Sequence, residues 1–182
     1  MDQAQLIKQI ETNIGKIYVL NIARQLHQEN FNLRHLIAIT LHPQPDIAFR
    51  ATWILENVVL NHPETYLHEL DYLLQQMPLV KAPGSKRHYA KIVMHLTESS
   101  APQITKDKIK EIDFEPVIEQ LFDWLIDPKI KIAVKAFAAE ALFNLRQRYD
   151  WIAEELANQL HFLMRNGTAA IQARGKKLLK DL

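Results

Sequence analysis

Between Pro45 and Met77 apolar residues recur at helical spacing on two sides of the chain at once. In PDIAFRATWILENVVLN, Ala51, Ile54, Leu55 and Val58 line one stripe, and Phe49, Trp53 and Leu60 line a second. A helix at the edge of a small globule needs one apolar stripe. Two stripes predict a helix packed on both sides, as in the interior of a stack. Asp46 is placed to cap it, its carboxylate accepting from an unpaired N–H two or three residues on, and the helix should reach about Leu60. Asn61, His62 and Pro63 make a corner, and Pro63 suits the first position of a second helix running to Met77, where its missing N–H costs nothing.

The same reading extends along the chain. Residues 2–13 and 16–29 form amphipathic helices broken near Asn13 and Gly15. Asn32 caps a third, 33–41, stopped by Pro43 and Pro45. Ser85 opens a helix to about Leu96. The stretch 98–113 holds no sustained period and is expected to be a long loop with room for one helical turn. A helix follows at 115–126, with Pro116 near its first turn. Asp127-Pro128 then opens a long helix to about Arg148, Asp150 caps 151–165, Asn166-Gly167 makes a left-handed stop, and Thr168 opens the last helix. Nothing alternates with period two for more than a few residues, so no sheet is expected.

Self-similarity at a fixed offset is the strongest signal. At 85 residues, Leu41, Pro43, Ile47, Ala48, Phe49, Arg50 and Ala51 meet Ile126, Pro128, Ile132, Ala133, Val134, Lys135 and Ala136. At 86, Glu64, Leu70, Leu74 and Met77 meet Asp150, Leu156, Leu160 and Leu163. The distance is two units of about 42 residues. On these residues, with the turn proline or aspartate and the runs Phe49-Arg50-Ala51 and Val134-Lys135-Ala136, the chain resembles the HEAT-repeat family. Trp53, Glu56 and Asn57 depart from it, standing where the family usually has small or aliphatic residues. The resemblance implies an all-α fold, a short right-handed α-α superhelix of about nine helices, and a surface that binds a partner. Residues 1–44 would cap a repeat core at 45–165, with a terminal helix at 166–182, all in one domain.

Composition narrows the chemistry. The chain of 182 residues is 48% hydrophobic and 24% charged, with 4 Gly and 8 Pro, which suits long helices with abrupt stops. Without Cys there is no disulfide framework and no thiolate site. The N-terminus lacks a secretory pattern and the longest apolar run, Ile132 to Leu145, is too short to span a bilayer. A cytoplasmic protein without membrane contact is expected. The net charge of +1 sets up no overall field, but the charges are segregated. Residues 81–110 carry seven basic against two acidic residues, an excess of +5, and residues 111–128 carry six acidic and no basic ones. Adjacent blocks of opposite sign ordinarily compensate on a solvated surface.

Candidate sites follow, each beside its plainer explanation. Arg50, Arg87, Lys135 and Arg174 would form a ladder, most simply paired with acids or carbonyls at neighbouring turns, such as Asp46 and Asp127. Trp53 is expected in the core, Trp151 in a corner, and Trp124, beside Asp123, is the tryptophan least committed to packing. A tryptophan next to an aspartate on such a scaffold is similar to the DNA alkylation-repair glycosylases of related architecture, although this spacing occurs in any helix. His88 and His95 share a helix face, and His62 and His68 flank a helix start, but no third ligand stands at the spacing a metal needs. No nucleophile elbow or glycine-rich phosphate loop is present. The expectation is a non-catalytic scaffold without cofactor or metal, holding a protein on the second-helix face through His68, Gln75, Glu119, Asp123 and Trp124. The alternative is nucleic-acid binding through a basic patch of Lys86, Arg87, Lys91, Lys106, Lys108, Lys110, Arg174, Lys176 and Lys177.

Overall fold

The computed structural model describes residues 1–12 and 15–182, and no strand occurs among them. Eleven α-helices follow in order. They are α1 (Gln3–Ile10), α2 (Lys16–Gln28), α3 (Leu33–Thr40), α4 (Pro45–Asn61), α5 (Leu70–Gln75), α6 (Pro83–Thr97), α7 (Gln103–Glu111), α8 (Glu115–Ile126), α9 (Ile132–Leu145), α10 (Trp151–Arg165) and α11 (Ala169–Lys180). Gly15 stands at the start of α2 without a side-chain cap; the predicted break at Asn13 lies outside the described residues.

Helices α2, α4, α6, α9 and α11 lie side by side as one row, each packed on the next. Behind them stand α3, α5, α8 and α10, with α3 on α4, α8 on α9, and α10 on both α9 and α11. The double stripe of α4 explains its central place. Ile47, Ala51, Ile54, Leu55, Val58 and Val59 are all buried, and each large aliphatic side chain removed from water contributes about 1.5–3 kcal/mol. Polar bonds fix the register within this core. The Thr52 hydroxyl donates to Ala48 O (2.6 Å) and lies 2.9 Å from Ser85 Oγ on α6, while the Thr40 and Tyr89 hydroxyls meet at 2.8 Å. Burial pushes the Tyr89 phenol well above its ordinary range.

Burial sets the repeat register and corrects the offset of 85. The buried positions Ile47, Ala48, Ala51, Thr52, Ile54, Leu55 and Val58 of α4 recur in α9 as Val134, Lys135, Ala138, Ala139, Ala141, Leu142 and Leu145, 87 residues on. They recur in α6 as positions 85, 89, 90, 92, 93 and 96, 38 residues on, with half-buried Lys86 in the place of Ala48. Ile47, not Phe49, is therefore the counterpart of Val134. The runs Phe49-Arg50-Ala51 and Val134-Lys135-Ala136 align by residue type but sit two positions apart on their helices. Of the second-helix matches, Leu70 and Leu74 are buried like Leu156 and Leu160, whereas Met77 is buried beyond the end of α5 and Leu163 is half-buried within α10.

Other differences are local. Pro45 takes the first helical position of α4, so Asp46 sits exposed within the first turn and makes no cap bond. Pro63 opens a 3-10 stretch, Pro63–Glu69, before α5 becomes regular. Asp127 accepts from the Lys129 amide (2.8 Å), a turn that holds residues 127–131 out of helix and delays α9 to Ile132; α9 ends at Leu145. Ser85 is a buried interior residue, because α6 already begins at Pro83. Asp150 stands at the head of α10 but makes no side-chain cap bond. The stop after α10 is not left-handed, since no described glycine has positive φ. A Cβ on Gly167 would come within 2.5 Å of Leu163 O, so close approach to the preceding turn is what a glycine serves there. The predicted loop at 98–113 contains α7.

Candidate functional site

Once the rows are registered, structurally equivalent positions on adjacent helices can be compared. Trp53 on α4, Lys91 on α6 and Glu140 on α9 occupy one such level, and Asn57, His95 and Asn144 occupy the level a turn below. All six are half-buried. They form a strip of aromatic, cationic, anionic and amide groups across the front row, where a purely structural helix face would carry either core residues or freely solvated charge.

The side chains beneath the strip are tied across helices. Glu56 of α4 is buried, and its two carboxylate oxygens lie 2.5 Å from His88 Nδ1 and 2.6 Å from Lys91 Nζ on α6. An ionised carboxylate only accepts, so Nδ1 carries the proton and Nε2 faces the Arg87 guanidinium at 3.4 Å as acceptor. Burial raises the Glu56 pKa, but the bonds from His88 and Lys91 outweigh it and hold the carboxyl below its ordinary value. The His88 ring packs against Phe49 and Trp53, with centroids at 5.4 and 6.2 Å. Phe49 in turn lies over Gly84, where a Cβ would meet the ring at 2.4 Å. Further along, Asn144 donates to Met94 O (3.0 Å) on α6, and Arg174 pairs with Glu140 at 2.9 Å. Such an arrangement orders two aromatic rings and several charged groups before any partner arrives. It places no nucleophile beside a base. Among the described residues no three potential metal ligands gather.

The predicted residues are distributed otherwise. Gln75, Glu119 and Asp123 are exposed on the back row, and His68 is exposed on the 3-10 stretch that leads into it. Trp124 is buried at 3% exposure under Lys86, whose Nζ is 5.9 Å from the ring centroid, so its ring is core and offers no free surface. Trp53 packs against the core while half-buried at the strip, and Trp151 is 43% exposed beside Phe122. The basic residues spread over α6, α7 and α11. Lys91 pairs with Glu56, Lys108 with Glu111, Lys110 with Asp107 and Arg174 with Glu140. Arg87, Lys176 and Lys177 are exposed, and Lys106 borders a cleft.

The cationic ladder has a structural use. Arg50 donates to the carbonyls of Ile10 (2.9 Å) and Glu11 (2.6 Å) at the end of α1, and buried Lys135 donates to Leu125 O (2.7 Å) at the end of α8. Burial lowers the Lys135 pKa, partly offset by Asp127. Arg148, which residue pattern did not single out, does the same for α7, reaching the carbonyls of Ile109, Lys110 and Ile112. Each cation meets the partial negative charge of a helix C-terminus. One sign of the Glu56 cluster was present in the sequence: a lone acid among Ile54, Leu55, Val58 and Val59 requires a buried partner.

No helix of the described chain is long and apolar enough to cross a membrane. The description of a HEAT repeat domain matches residues 6–182. No curated protein and no solved structure matches the chain.

Proposed function

The chain belongs to the HEAT-repeat family, and from that premise we propose that it is a non-catalytic cytoplasmic scaffold that holds a protein partner against the strip on α4, α6 and α9. One observation carries the reading. Three equivalent positions on neighbouring helices hold Trp53, Lys91 and Glu140, half-exposed, the first two tied to the Glu56–His88 cluster that joins α4 to α6 and the third to Arg174. Interfaces draw most of their affinity from a few aromatic and charged anchors, and anchors already ordered lose less entropy on binding. The test is affinity capture from the native cell with Trp53→Ala, Glu140→Lys and, for the back row, a His68→Ala, Asp123→Ala pair. Loss of the same captured protein in the first two variants, and retention in the third, supports the strip. Loss only in the back-row variant moves the docking face to the second helices.

Binding of nucleic acid, including a relation to alkylation repair, is the less supported reading. Four of the nine basic residues already pair with carboxylates, and the exposed acids Glu111, Asp113, Glu115, Glu119 and Asp123 follow directly. Binding of duplex DNA that weakened with a log–log salt slope of about −0.9 per phosphate contact would reverse this preference.

A further inference from the structure

The C-terminal ends of α6 and α9 are joined by Asn144, which donates to Met94 O (3.0 Å) and Thr97 Oγ1 (3.3 Å). Helix α7 crosses beside them, and the three ends bound an open cleft of about 840 Å³, within the range of roughly 300–1,000 Å³ typical of ligand sites. Its lining carries four cations, Lys106, Lys110, Arg146 and Arg148, against one acid, Glu98. That acid is already engaged, its Oε1 lying 3.1 Å from His95 Nδ1. Apolar side chains, Ile109 and Phe143 among them, line the cleft beside polar ones such as Thr97 and Asn144.

Arg146 is held in place by groups that leave donors free, whereas Lys110 pairs with Asp107. Arg146 lies over the Phe143 ring, 3.8 Å from its centroid, and donates to Phe143 O at 2.8 Å. A guanidinium has five N–H donors, and Arg146 has no carboxylate partner among the described residues, nor has Lys106. Arg148 is over the Phe114 ring at 4.9 Å and spends its donors on the end of α7. A fixed, partly unspent guanidinium matches a carboxylate bidentately and has little rotamer freedom left to lose.

We propose that this cleft receives a short acidic peptide segment of a partner protein, with carboxylates on Arg146 and Lys106 and an aliphatic side chain between Ile109 and Phe143. The assignment rests on the scaffold reading and adds the partner's chemistry. A polypeptide fits better than a nucleic acid for two reasons. The lining includes apolar Ile109 and Phe143, and the exposed acids from Glu111 to Asp123 follow α7 in the chain, unfavourable to a phosphate backbone that carries one charge per ~1.7 Å of duplex.

The experiment is fluorescence anisotropy of the full chain with a labelled peptide of alternating Glu-Glu-Leu triplets. The same peptide with Gln for every Glu, and a labelled single-stranded oligonucleotide, serve as comparisons. Binding of the acidic peptide, at least tenfold tighter than the Gln peptide, is expected. It should weaken at least tenfold in Lys106→Glu, Arg146→Glu. Lys106→Glu alone, which touches no structural bond, should weaken it severalfold with an unchanged melting temperature. Equal binding of both peptides, or undiminished binding in Lys106→Glu, overturns the proposal, and tighter binding of the oligonucleotide through the same residues replaces it. Cellular capture that fails in Trp53→Ala yet survives these variants leaves the scaffold standing and removes the cleft.

Discussion

A carboxylate placed among aliphatic side chains must be answered by its neighbours. Glu56 is answered by His88 and Lys91 at 2.5 and 2.6 Å. Because its folded pKa is depressed below 4.5, its contribution to stability is complete above the unfolded value and fades as pH falls through the folded one. Melting temperatures of wild type and Glu56→Gln should therefore differ most near neutrality, with a loss of about 1–3 kcal/mol in the variant, and converge only as pH falls below the depressed folded value. A difference that stays constant with pH would mean the charge itself is irrelevant. Asn30 is constrained by its backbone instead. It holds φ at 49° after α2, with its amide bonded to His27 O and that of Phe31 to Leu26 O, the paired bonds of a Schellman stop. Glycine tolerates this conformation without a Cβ clash, so Asn30→Gly should keep or raise the melting temperature, whereas Asn30→Val should lower it.

At the scale of helices, α7 shows what a pattern search detects and what it cannot. The apolar face of residues 103–112 amounts to Ile109 and Ile112, with buried Thr105, too short a stripe to announce a helix. Side-chain pairs a turn apart supply the rest, namely Gln103 with Asp107, Lys110 with Asp107 and Lys108 with Glu111. Each is worth only about 0.2–0.5 kcal/mol. The decisive contribution comes from Arg148, about forty residues away, which satisfies the terminal carbonyls. Arg148→Ala should accordingly speed amide exchange across 103–111 far more than across α4, at a cost of about 1–3 kcal/mol. The long helices α4, α6, α8 and α10 were legible because their apolar periods persist over three or more turns. The strip was not legible, because an alignment by residue type at 85 hides a level seen only at 87. In α6, Gly84 lets Phe49 approach, and Gly84→Ala should lower the melting temperature through overpacking by about 1–3 kcal/mol.

Across the whole molecule the two spacings differ: 38 residues from α4 to α6, and 49 from α6 to α9. The longer step accommodates α7 and with it the cleft. Neither consequence can be read from composition, since the charges of residues 81–110 are partly consumed by pairing and partly gathered at one gap. The two edges of the stack are also fastened differently. On one side Arg50, in a central helix, grips the final carbonyls of α1; on the other, α11 is joined to α9 through Arg174 and the half-exposed Glu140. If the chain were stretched between its ends in an optical trap, rupture should begin at the α11 edge and travel inward. The α1 edge should resist until α4 itself gives way, so that the polypeptide would unzip in one direction only.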